Sequence, residues 1–150
     1  MCGDHHSRDS AGGALAVMRP SPFRTGTSPI PMPGRLVFHT RSKEGSLATH
    51  AIFTADSSCE FQSRTVEPFL VTIHETGDLT RPATTSPSWA TFSLTPVVGT
   101  SLGDKIQAVE VELGRPMKIE VGVDGIIGRR VSVWTQKGAG PVAEGIVGYN

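Results

Sequence analysis

The chain has 150 residues, enough for one domain around a single core and too few for a two-domain enzyme. Fourteen Lys and Arg balance fourteen Asp and Glu, so no general field draws the chain toward nucleic acid or an anionic membrane; the charges allow a local patch at most. The longest apolar runs, such as residues 69–71, fall far short of the roughly 20 residues that span a bilayer, and the expectation is a soluble protein.

The N-terminus, MCGDHHSRDS, clusters Cys2, Asp4, His5 and His6. Organising ligands on a flexible peptide costs entropy, so adventitious metal binding is expected there and not a dedicated site. An apolar patch at residues 14–18 follows acidic and His residues where a secretion signal would carry Lys or Arg, and no signal is expected. Cys2 and Cys59 are the only cysteines and read as free thiols.

Residues 1–34 are rich in Gly, Pro, Ser and Thr and show neither a period of 2 nor one of 3.6. They read as an extended N-terminal arm. Prolines 20, 22, 29, 31 and 33 lower the entropy lost when such an arm is laid out, and Phe23, Ile30 and Met32 are spaced as anchors for a partner's groove. Fully extended at roughly 3.3 Å per residue, the arm reaches about 110 Å, far enough to cross a neighbouring subunit.

From residue 35 the texture changes to short runs of alternating apolar and polar residues, punctuated by Gly, Pro or Asp. Strands are predicted at 35–40, 48–54, 66–75, 89–97, 106–113, 117–123, 126–135 and 142–149, with an exposed loop at 81–87. In the third strand Phe69, Val71 and Ile73 share one face and Leu70, Thr72 and His74 the other. Asp124 and Gly125 read as a two-residue hairpin turn, with Gly125 available for a positive φ. A bulge at or beside Gly128 reconciles that turn with the apolar pattern, setting Ile119 opposite Val131, Met117 opposite Val133 and Glu120 opposite Arg130. About eight short strands without helices predict an all-β domain over residues 35–150, a single antiparallel β-sandwich or barrel of jelly-roll type.

Chemistry is sparse. GTSLG around Ser101 fits the nucleophile-elbow pattern, but the elbow needs a following helix and a later His, and all five His precede Ser101. His39, His50 and His74 fall in predicted strands, where three His from neighbouring strands can bind zinc, yet no local pair fixes them as ligands. Glu110, Glu112, Glu120 and Asp124 lie among Lys118, Arg129 and Arg130, which suits a solvated, charge-mixed sheet face better than a paired acid and base. No phosphate-binding loop is present, and no cofactor is expected. Arg129 and Arg130 beside Trp134 form the one basic and aromatic combination, the expected interaction site on the body.

A β body, an arm and no visible catalytic set together predict a non-enzymatic structural subunit of a large symmetric assembly, of the kind found in phage or virus capsids, decoration proteins and tails. The expected partners are other copies of the chain and a different shell or tube protein, without specific nucleic acid or membrane. The expected location is the virion, assembled in the host cytoplasm, with a cytoplasmic protein as the alternative. The rival function is a carbohydrate- or ligand-binding β-sandwich that uses Trp89 or Trp134 as a platform.

Overall fold

The computed structural model describes residues 13–23, 31–40, 47–56, 69–94, 108–135 and 140–150. The described chain is nearly all β: β1 (Gly13–Met18), β2 (Gly34–His39), β3 (Leu47–Ala55), β4 (Phe69–His74), β5 (Ser88–Leu94), β6 (Ala108–Val121), β7 (Gly125–Ile127), β8 (Arg130–Trp134) and β9 (Pro141–Tyr149), with a single 3₁₀ turn at Ala83–Thr85. They form one open sheet in the order β5-β4-β8-β9-β1-β2-β3-β6-β7. Every pairing is antiparallel except β6 with β7, which makes the sheet mixed. No helix among the described residues is long and apolar enough to cross a membrane.

The largest departure from the sequence reading is β1, which lies inside the expected arm. GALAVM pairs with β2 from Gly13 opposite His39 to Met18 opposite Gly34, and its other edge meets the end of β9. Ala14, Ala16 and Met18 are buried while Leu15 and Val17 face outward, a period-2 pattern carried by small side chains. Beyond β1, Arg19 exchanges two backbone hydrogen bonds with Glu144, both 2.9 Å. The described part of residues 13–23 is therefore a central strand and its continuation, and the boundary at residue 34 does not separate arm from body.

β6 corrects a second reading. The two strands predicted at 106–113 and 117–123 are one 14-residue strand. Against β3 its register jumps between Ala48 opposite Met117 and His50 opposite Glu112, so Thr49 alone faces residues 113–116. Gly114 and Pro116 sit in this bulge, where the missing donor of proline costs no ladder bond.

The expected hairpin after β6 is also replaced. β7 pairs with β6 in parallel, and β8 leaves to lie between β4 and β9. Val131 faces Ile73 and Gly145, Val133 faces Val71 and Ala143, and Arg130 pairs with Ile146, so none of the predicted partners Ile119, Met117 and Glu120 is met. Positive φ falls at Gly122 (123°) and Gly128 (84°), and these two glycines let the chain turn away on either side of β7. Gly125 is a glycine for a different reason: a Cβ there would overlap the Glu120 carbonyl oxygen. β8 wins its central place because Val131 and Val133 are both fully buried there against apolar residues of two strands.

The alternation predicted for β4 holds, with Phe69, Val71 and Ile73 on the core face. The core also takes Leu36 and Phe38 from β2, Ala51 and Phe53 from β3, Leu94 from β5 and Val147 from β9. Strands from distant places in the sheet order come together across it: Phe38 of β2 meets Phe92 of β5 edge to face, with ring centroids 6.2 Å apart. β5 likewise approaches β6, and β7 approaches β9.

Candidate functional site

The second face of β4, β8 and β9 is polar and yet largely buried. Strand alternation puts Thr72 and His74, Arg130, Ser132 and Trp134, and Glu144 on this face, with Thr72 opposite Ser132 and Ser132 opposite Glu144. Arg130 is fully buried and Glu144 nearly so. The guanidinium donates through Nη2 to Glu144 Oε2 at 2.6 Å, and through Nη1 to the carbonyls of Asp78 (3.1 Å) and Arg81 (2.7 Å). The Arg130 backbone N–H also donates to the Thr76 carbonyl, so one residue straps the connection between β4 and β5 onto the sheet. Its Nε is buried without a partner.

Next to this pair, the Ser86 carbonyl lies 3.1 Å from His74 Nδ1 and can only accept, which places the proton of the neutral ring on Nδ1. Nε2 then accepts from the Ser132 hydroxyl at 2.7 Å, and the Ser132 oxygen accepts the Trp134 indole N–H at 2.8 Å. Burial is the largest cause holding the His74 pKa below its ordinary 6.5, and the nearby Arg130 charge adds to it. A serine hydrogen-bonded to an imidazole has the parts of a nucleophile and base. Ser132 is nevertheless fully buried and its oxygen is already engaged by Trp134, so the arrangement serves to fix the sheet and the loop above it.

Arg129 is spent in the same way. It donates to the carbonyls of Gly125 (2.7 Å), Glu75 (2.7 Å), Gly122 (3.2 Å) and Val123 (2.8 Å), tying the β6–β7 turn to the end of β4. Its guanidinium carbon lies 4.3 Å from the centre of the Trp89 ring, so one face of that ring is covered. Around this contact Glu75, Trp89, Val121, Val123, Ile127 and Arg129 line an open depression of about 660 Å³. Val121 and Val123 at its rim are 69% and 85% exposed, unusual values for valine.

The fold therefore separates the residues of the expected body site. Arg130 and Trp134 face the buried polar layer, whereas Arg129 stacks on Trp89, not on Trp134. Of the proposed anchors, Met32 is half buried against the chain's own core and donates its backbone N–H to Val142 at 2.9 Å. Phe23 is exposed, its N–H donating to Ser21 Oγ, and Ile30 lies outside the described residues.

The three strand histidines do not converge. His39 and His50 are opposite each other on β2 and β3 with rings stacked at 5.4 Å, while His74 is held by Ser86 and Ser132 on β4. His39 Nε2 lies 3.3 Å from Glu110, and His50 Nδ1 lies 2.7 Å from Thr49 Oγ1. Among the described residues no group of three or more His, Cys, Asp or Glu side chains is placed to hold a metal ion. Glu110, Glu112, Glu120 and Asp124 are all exposed, with Lys118 3.9 Å from Asp124, which is the solvated mixed-charge surface expected for them. Ser101, Cys2, Asp4, His5, His6 and Cys59 lie outside the described residues.

Ser132 and Glu144 were not singled out from sequence. The signal was present in RVSVW, where alternation puts Arg130, Ser132 and Trp134 on one face, and in the lone acid of PVAEGIVGY. Compared with protein families and with curated proteins, the sequence matches none.

Proposed function

We propose that the protein is a non-enzymatic structural subunit of a symmetric assembly, as in phage and virus shells, decoration proteins or tails, and that it works through strand surfaces and not through a pocket. One observation carries this reading: the polar groups best suited to act on a ligand are engaged by the chain itself. Arg129, Arg130, His74 and Ser132 spend their hydrogen bonds on the chain's own carbonyls and side chains, while Val17, Leu70, Val121, Val123 and Tyr149 stand exposed on strands and at a turn. Exposed apolar side chains in such number on a small β protein suit surfaces that meet other copies. The approach of β5 to β2 and β6 supports a jelly-roll-like closure of the sheet into two layers, the architecture that shell subunits commonly use. The partners in this reading are further copies and a second shell or tube protein, and the location is the virion.

Native mass measurement and negative-stain microscopy of the full chain test the proposal. Discrete oligomers or particles are the expected result, and a monomer at every accessible concentration overturns it.

The depression beside Trp89 supports a second reading, a ligand-binding module, because it joins an aromatic ring, a carboxylate and an apolar rim. Titration with glycans, followed by tryptophan fluorescence, distinguishes the two: saturable binding without assembly favours the second.

A further inference from the structure

The two ends of the sheet order are built very differently. β7 is three residues long, and its Gly125 carbonyl accepts the Arg129 Nε–H, so that edge is short and partly capped by a charged side chain. β5 is seven residues long, Ser-Trp-Ala-Thr-Phe-Ser-Leu, with no charge and no proline. Among the described residues it has a hydrogen-bonded neighbour on one side, β4, and none on the other. Natural sheets guard such an edge with Lys, Pro or a bulge that turns it away, because its free N–H and C=O groups template pairing with another chain. The single register shift between β4 and β5 falls at Trp89, near the start of β5, and leaves residues 90–94 in regular register.

We propose that β5 is the interface between two copies of this chain, joined antiparallel across a two-fold axis at Thr91. Backbone groups that no strand pairs among the described residues call for an extended strand, and the sequence of β5 suits a copy of itself. Antiparallel pairing about Thr91 sets Ala90 opposite the second copy's Phe92, and Phe92 opposite its Ala90. Both residues face the core side, where they are half buried against the core, so a small side chain meets a large one and the apolar layer continues across the axis. Thr91 lies opposite its own symmetry mate on the outer face, where it is exposed, and two threonines there are a favourable cross-strand pair. With no charge on β5, neither copy repels the other. The contact is isologous and closes as a dimer, leaving other surfaces for higher assembly. This inference rests on the reading of the protein as a self-assembling subunit and names the first contact by which it assembles.

Thr91→Lys and Thr91→Glu test it in the full chain, because position 91 is exposed and accepts either side chain without entering the core. Each variant alone sets like charges opposite each other on the axis, and each is expected to weaken dimerisation about tenfold or more in sedimentation velocity. An equimolar mixture of the two sets Lys opposite Glu and is expected to recover association, which a misfolded variant does not do. Unchanged thermal melting by circular dichroism accompanies that result. Association of the single variants at wild-type strength overturns the β5 contact and leaves assembly through other surfaces standing. A mixture that stays monomeric overturns the two-fold pairing. A wild-type chain that is itself monomeric overturns the assembly reading and the β5 contact together.

Discussion

Replacing Glu144 by Ala is expected to cost about 3–5 kcal/mol, because it strands the buried Arg130 guanidinium without its counter-charge. Side-chain exposures of 0% and 5% for the two partners leave almost no route for water to compensate. That cost is a fifth or more of the roughly 5–15 kcal/mol that holds a typical domain together, and for a chain of this length it lowers Tm by about 6–20 °C. Arg130→Met is expected to fall in the same range, since it leaves the Glu144 carboxylate buried and alone. The double variant, Arg130→Met with Glu144→Leu, is expected to be more stable than either single one. No buried charge remains in it. Urea denaturation of the four proteins, followed by circular dichroism, gives the cycle directly. Single variants within about 1 kcal/mol of wild type, or a double variant whose loss equals the sum of the two, would refute the buried ion pair.

His74 is held neutral in the folded chain below its ordinary 6.5, so the unfolded chain binds more protons as pH falls through that value. Stability is therefore expected to be full above pH 6.5 and to decline below it, until the lowered folded pKa is passed; His74→Gln should flatten this limb in urea titrations at several pH values. Arg129→Ala removes four carbonyl contacts and the cover of Trp89, and is expected to cost about 1–2 kcal/mol, discounted because much of the network is exposed. Arg129→Lys should recover less than half of that, since an ammonium lacks the planar fork, and tryptophan emission should shift in both variants. Deleting residues 1–34 removes β1 from between β2 and β9 and is expected to abolish the cooperative thermal transition. A folded truncated chain would show that the sheet closes without its central strand.

The all-β class was legible because Val, Ile, Thr and Phe alternate with polar residues over most of the chain, and β4 illustrates it, with Phe69, Val71 and Ile73 on the core face as its alternation requires. β1 was not legible, because its buried side chains are Ala14, Ala16 and Met18, flanked by Gly and Pro. Small residues give a weak periodic signal. Gly145 of β9 lies so close to Val17 of β1 that a Cβ would overlap the Val17 carbonyl oxygen, so the approach of the two strands there requires glycine. Pairing is a second blind spot. The Asp124–Gly125 turn was a local signal for a hairpin, but the burial of Val131 and Val133 between β4 and β9 outweighs a favourable turn. The buried polar layer was half legible: alternation groups Arg130, Ser132 and Trp134, whereas their partners Glu144, His74 and Ser86 are distant in sequence and visible only once β4, β8 and β9 are adjacent.

The place of β1 also changes where association has to be sought. An arm that crosses to a neighbour has to be dispensable to the fold, and residues 13–23 are not, since they carry a central strand and the two backbone bonds between Arg19 and Glu144. Met32 likewise spends its N–H and much of its side chain on its own body. Pro31 and Pro33 have no N–H to donate; the donor between them goes to Val142, and the Pro33 carbonyl accepts the Asp56 N–H at 3.0 Å. The proposed self-association then rests less on a tether than on the sheet itself. A sheet whose one end is short and capped by Arg129, and whose other end is an uncharged strand of seven residues, is asymmetric in its capacity to grow. In the proposed dimer such a sheet pairs at β5 and stops at β7, which would give a closed pair where two open ends would give a fibre.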